Sequence, residues 1–99
     1  MLVRATLPQI LEMELVSEME VKKMTEDGYS KLTFDMNYPV LKKVDENISI
    51  KDNRTVGDHT RYYAEPFNYK GFRCLISSEW YDRNQEDYIR WLKRKSRVE

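Results

Sequence analysis

Cysteine, histidine, glycine and proline are scarce: the 99 residues include one Cys, one His, three Gly and three Pro. A lone Cys closes no internal disulfide and builds no thiolate cage, so packing has to hold the fold, as in proteins of a reducing compartment. The glycines, Gly28, Gly57 and Gly71, are too far apart for a phosphate-cradling loop. Neither a zinc-ligand spacing nor a calcium loop with its glycine and terminal glutamate is present, so no metal or cofactor is expected. Long apolar runs are missing as well. Pro39-Val40-Leu41 and Cys74-Leu75-Ile76 fall far below the roughly 20 residues that span a bilayer. Arg4 interrupts Met1-Leu2-Val3 at once, which does not read as a secretory signal. A cytoplasmic protein with no membrane partner is the expectation.

What is abundant is charge and aromatic bulk: 34% of residues are charged and 12% aromatic, with a formal net charge of zero. That composition suits a folded domain with a polar surface, and the length suits a single domain over residues 1–99. An α+β fold is expected, with an antiparallel sheet of four to five strands from two hairpins and a C-terminal helix packed on one face.

The segment 11–21 is contested. Thr6, Pro8 and Gln9 make a fair helix start of the capping-box kind, and Leu, Glu and Met favour helix. Against that, Leu11, Met13, Leu15, Met19 and Val21 alternate with Glu12, Glu14, Glu18 and Glu20, the period of a half-buried strand. Asp27-Gly28, followed by the alternating Lys31-Leu32-Thr33-Phe34-Asp35-Met36, decides for a hairpin over about residues 10–37. Its register would put Val21 opposite Leu32 and Met19 opposite Phe34, leaving the glutamates as an acidic outer face.

Tyr38-Pro39 ends that unit and opens a loop over 38–60. A second unit over 61–97 starts with a strand at Arg61-Tyr62-Tyr63. It turns at Asn68-Tyr69-Lys70-Gly71 and returns through 72–77, with Phe72, Cys74 and Ile76 on one face. The chain then reads as helical: Ser78 or Asn84 could cap, and Tyr88, Trp91 and Leu92 share a face.

Chemistry-bearing side chains are few. His59 sits beside Asp58 in a polar stretch, and adjacent residues in extended chain point to opposite sides, so they form no dyad. Cys74 lies on an apolar strand face, where a thiol is ordinarily inert packing. No catalytic residue is assigned and no enzyme activity is expected.

Charge is unevenly spread. Residues 1–50 carry six basic and nine acidic groups and residues 51–99 carry eleven and eight, with nine of the twelve aromatics in the second half. Aromatic faces stack on bases while guanidinium and ammonium groups neutralise phosphates. The favoured expectation is therefore nucleic-acid binding through Arg61, Tyr62, Lys70, Arg73, Arg83, Arg90, Lys93 and Arg94. The alternative is a protein–protein interaction module, a small regulator or inhibitor docking through its acidic strand or its aromatics; a pI near 6.6 speaks for it. On the nucleic-acid reading, Arg73→Ala and Lys93→Ala each flatten the salt dependence of oligonucleotide binding by about one unit. An unchanged slope in both would remove the assignment.

Overall fold

Three short helices, not a hairpin, occupy the first third of the chain. In the computed structural model, which describes residues 2–96, α1 (Leu2–Glu12), α2 (Glu18–Met24) and α3 (Asp27–Phe34) precede β1 (Leu41–Lys43), α4 (Ile50–Arg54), β2 (Thr55–Val56) and β3 (His59–Thr60). β4 (Phe67–Tyr69), β5 (Phe72–Ile76) and α5 (Asp82–Lys95) follow. The α+β class holds. The sheet is smaller than expected: an antiparallel three-stranded sheet in the order β1-β5-β4 and a separate β2-β3 ribbon.

The expected hairpin over 10–37 is thus corrected. Its alternation is not a face: Met13 and Met19 are 65% and 74% exposed and Leu32 is 90% exposed, while Val16 and Met24 are buried. The helical spacing of Val3, Leu7, Ile10 and Leu11 faces α1 inward instead. Leu, Glu, Met and Lys are good helix formers, and this region has few β-branched residues. Ser17 caps α2, its Oγ accepting from Glu20 N–H at 3.1 Å, with Glu18 and Glu20 at the positive end and Lys22 and Lys23 at the negative end. Asp27-Gly28, expected as a β-turn, is the first turn of α3.

Two helices end on left-handed acidic residues where glycine would be usual. Glu14 (φ 58°) closes α1 in a Schellman arrangement, with Leu15 N–H on Ile10 O and Glu14 N–H on Leu11 O. Asp35 (φ 55°) ends α3, and Met36 N–H returns to Ser30 O. Asp is among the few residues that visit this region, and both carboxylates hold cations: Glu14 holds Lys70, and Asp35 holds Lys31 and Arg83.

The region 38–60, expected as loop, holds β1, α4 and the ribbon. Asn53 organises it from full burial, its Oδ1 accepting from Asp45 N–H (2.7 Å) and its Nδ2 donating to Asp45 O (3.0 Å) and Ser49 O (2.9 Å). The second hairpin forms with a shifted first strand. Lys70 (φ 46°) and Gly71 (φ 91°) make a tight two-residue turn between Tyr69 and Phe72, while Tyr62 is an isolated bridge to Ser77. β5 is covered on both faces: Cys74 and Ile76 enter the main core, and Leu75 packs with Val44 and Tyr62.

α5 begins at Asp82, and Asn84 lies inside its first turn. Asn84 Oδ1 accepts from Tyr81 N–H, and its Nδ2 donates to Phe34 O (2.8 Å) and Asp35 O (3.0 Å), tying α5 to the end of α3. Tyr88 and Trp91 share the buried face with Asn84, and α5 packs on α3 and α1. Phe34 is the hub, with ring centroids at 5.7 Å from Trp80, 6.1 Å from Tyr88 and 5.6 Å from Trp91.

At the edge of this cluster Glu20 gathers three donors. Lys95 Nζ reaches one carboxylate oxygen at 2.6 Å; Tyr29 Oη and Trp91 Nε1 (3.4 Å) reach the other. Burial opposes ionisation of Glu20, but the bonds from Lys95 and Tyr29, the Lys95 charge and the Trp91 bond outweigh it and hold its pKa below 4.5. A depressed carboxylate stabilises the fold above its unfolded pKa, and that contribution is lost as pH falls through the folded value. Glu20→Gln is expected to destabilise by about 1–2 kcal/mol at pH 7 through its lost hydrogen bonds, with the gap to the parent closing as pH falls through the lowered Glu20 value in urea unfolding. A gap that stays constant with pH would refute the assignment.

Candidate functional site

Tertiary structure disperses the eight residues expected to form a basic aromatic groove. Tyr62 is only 2% exposed, its hydroxyl donates to Pro39 O at 3.0 Å, and burial, with a smaller contribution from the Asp27 charge, pushes its pKa up to about 12. It offers no ring face to a base. Arg61 donates Nη1 to Glu79 at 2.9 Å and stacks 4.8 Å over Tyr38. Arg83 donates Nε to Asp35 at 3.0 Å. These two arginines line a common cavity of about 110 Å³, in which Asp35 and Glu79 balance them.

On the hairpin, Lys70 bonds Glu14 at 3.0 Å and Glu18 at 2.7 Å, and Arg73 grips Glu46 with Nε (2.9 Å) and Nη2. On α5, Arg90 pairs with Asp87 one turn earlier. Lys93 and Arg94 are exposed and have no carboxylate partner among the described residues; Arg97, from the same basic tail, lies outside the described residues. The aromatics follow suit: Tyr69, Trp80, Tyr88 and Trp91 belong to the core, and Tyr81 is the one large exposed ring among the described residues.

The catalytic candidates stay apart from one another. Cys74 is fully buried, and burial pushes its thiol up to about 11, the weaker influence of Lys43 opposing this. His59 is exposed on the β2-β3 ribbon. Among the described residues no three His, Cys, Asp or Glu side chains gather in a way that could hold a metal ion, and no helix is long and apolar enough to cross a membrane.

Two surface features stand out, neither of them foreseen. One is the corner between α1 and α2. Because Glu14 turns the chain left-handed and Ser17 restarts the helix, the segment 12–19 folds as an elbow that buries Val16 and leaves its other apolar side chains exposed. Met13, Leu15 and Met19 are 65%, 37% and 74% exposed, flanked by exposed Glu12, Glu14 and Glu18. The other is a pair of grooves on either side of Lys70. A groove of about 490 Å³ runs between the end of α1 and β4, past Leu11, Glu12, Glu14 and Phe67. One of about 540 Å³ runs between α2 and the sheet.

The alternation of Leu, Met and Glu was the visible trace of the corner, misread as a strand because period alone does not say what covers a side chain. The grooves left no trace, since they combine residues from separate elements. Compared with protein-family models, with curated proteins and with solved structures, the chain finds no match.

Lys70 is the pin that joins the hairpin turn to this corner. The hydrogen bond from Lys70 and its charge hold the Glu18 carboxyl below 4.5. Lys70→Gln is expected to bring the Glu18 titration, followed by carboxyl-carbon NMR, back up toward that ordinary value. A Glu18 titration indifferent to the substitution would mean that the pin is not populated in solution.

Proposed function

We propose that this chain is a small non-catalytic protein-interaction module that docks through the corner between α1 and α2. The observation that carries this reading is the exposure of Met13, Leu15 and Met19 within seven positions of one elbow, interleaved in sequence with exposed Glu12, Glu14 and Glu18. Scattered single apolar residues need no explanation, but three within seven positions on one turn of chain do. Methionine is adaptable and polarizable, which suits a surface that repacks against a partner. The glutamates favour a partner whose apolar contact is rimmed by Lys or Arg, and they keep the free surface soluble. Formal neutrality and the pairing of most candidate cations with carboxylates support a protein partner over a polyanion.

Nucleic acid stands as the second reading, favoured by exposed Lys93 and Arg94 on α5. The two separate cleanly. A photo-crosslinking residue in place of Met13 or Met19 should trap a protein in the cell of origin, whereas the same residue in place of exposed Asp58 should not. Trapping at all three positions alike, together with salt-sensitive oligonucleotide shifts along α5, would replace the protein reading by the nucleic-acid one.

A further inference from the structure

We propose that the groove between α2 and the sheet is a second docking site, which receives an extended acidic segment of a partner protein carrying an apolar side chain. Lys22, Lys43 and Lys70 stand along it, against the single carboxylate of Glu18, and Val21, Tyr69 and Phe72 supply its apolar lining. Glu18 is already engaged by Lys70. Lys22 and Lys43 are exposed and make no ion pair among the described residues, whereas the third lysine of the groove, Lys70, is held by Glu14 and Glu18. The groove therefore has uncompensated positive charge beside an apolar surface. An occupant of opposite charge is the one it complements, and an apolar side chain gains by covering Phe72.

Geometry adds a preference for an extended occupant. Val44 N–H bonds Arg73 O at 2.8 Å, so alternation along β1 turns the Lys43 N–H and C=O away from β5, toward the free edge of the sheet. A strand laid along that edge can exchange backbone hydrogen bonds with Lys43 while its acidic side chains meet the two lysines. Lys43 also lies 5.0 Å over the Phe72 ring, so the ammonium and the aromatic surface are presented together.

The proposal shares with the corner reading only the idea of a polypeptide ligand, and the residues tested are different. The probe is the peptide acetyl-Glu-Asp-Leu-Phe-Asp-Glu-amide, titrated into labelled protein and followed by amide NMR at low and physiological salt. Saturable shifts are expected at Val21, Lys22, Thr25, Lys43 and Phe72, with affinity falling about tenfold in the Lys22→Gln/Lys43→Gln double variant. Lys51→Gln, exposed elsewhere on the chain, serves as the charge control and should leave the affinity unchanged. The Met13→Ser/Met19→Ser variant should also titrate like the parent, so that failure at the corner and failure at the groove are separately visible. No saturable shift, equal affinity in the double variant, or loss of binding in the corner variant would overturn the proposal. So would tighter binding of a thymidine hexanucleotide than of the peptide at the same residues.

Discussion

The aromatic cluster that joins α3 to α5 converges on the Phe34 ring. It is the last residue of α3, fully buried, with Trp80, Tyr88 and Trp91 around it and Tyr29 at 6.3 Å. Edge-on aromatic contacts of this kind add to the apolar area they bury, which is the dominant favourable contribution in a domain this small. Holding Phe34 there requires α3 to stop at that residue. Asp35 does this by turning left-handed, and Asn84 then takes the Phe34 and Asp35 carbonyls that the helix end leaves unpaired. One junction thus sets the angle between α3 and α5, and Glu20 closes its far side by bonding Lys95, Tyr29 and Trp91.

The same economy governs the charges. Several cations in the aromatic half are bonded to acids from other elements: Lys70 to Glu14 and Glu18, Arg73 to Glu46, Arg83 to Asp35. These exposed pairs contribute little each to stability, yet they decide which charges face outward unopposed. The pattern along the chain, acidic first and basic second, is largely cancelled in space. Among what remains are apolar side chains in an acidic elbow on one side of Lys70, two unpaired lysines beside Tyr69 and Phe72 on the other, and Lys93 and Arg94 on α5.

Legibility varied by element for identifiable reasons. α5 was readable because Tyr88 and Trp91 fall on one helical face regardless of partner, and the β4-β5 turn because Gly71 admits the positive φ that a tight turn needs. The N-terminal helices were misread because Leu11 to Val21 satisfies a period of two by coincidence, and three of its apolar residues never needed burial. β1 was missed because three residues ending in two lysines carry no strand signal; Leu41–Lys43 is a strand only because β5 pairs with it. The site residues fared similarly. Tyr62 was expected on a binding surface and is buried instead, because whether a ring packs in the core or faces a ligand depends on elements distant in sequence.

By itself the sequence determined the α+β class, a helical C-terminal segment, a turn somewhere over Asn68 to Gly71, a single cysteine and a neutral, charge-rich composition. These are properties of composition and of contacts close along the chain. Only tertiary structure decided which apolar residues were left outside, which cations were neutralised, and which lysines came to share a groove. Burial and charge pairing are set by what packs against a residue, and for Met13, Lys22 and Lys43 that environment is assembled from helices and strands distant in sequence.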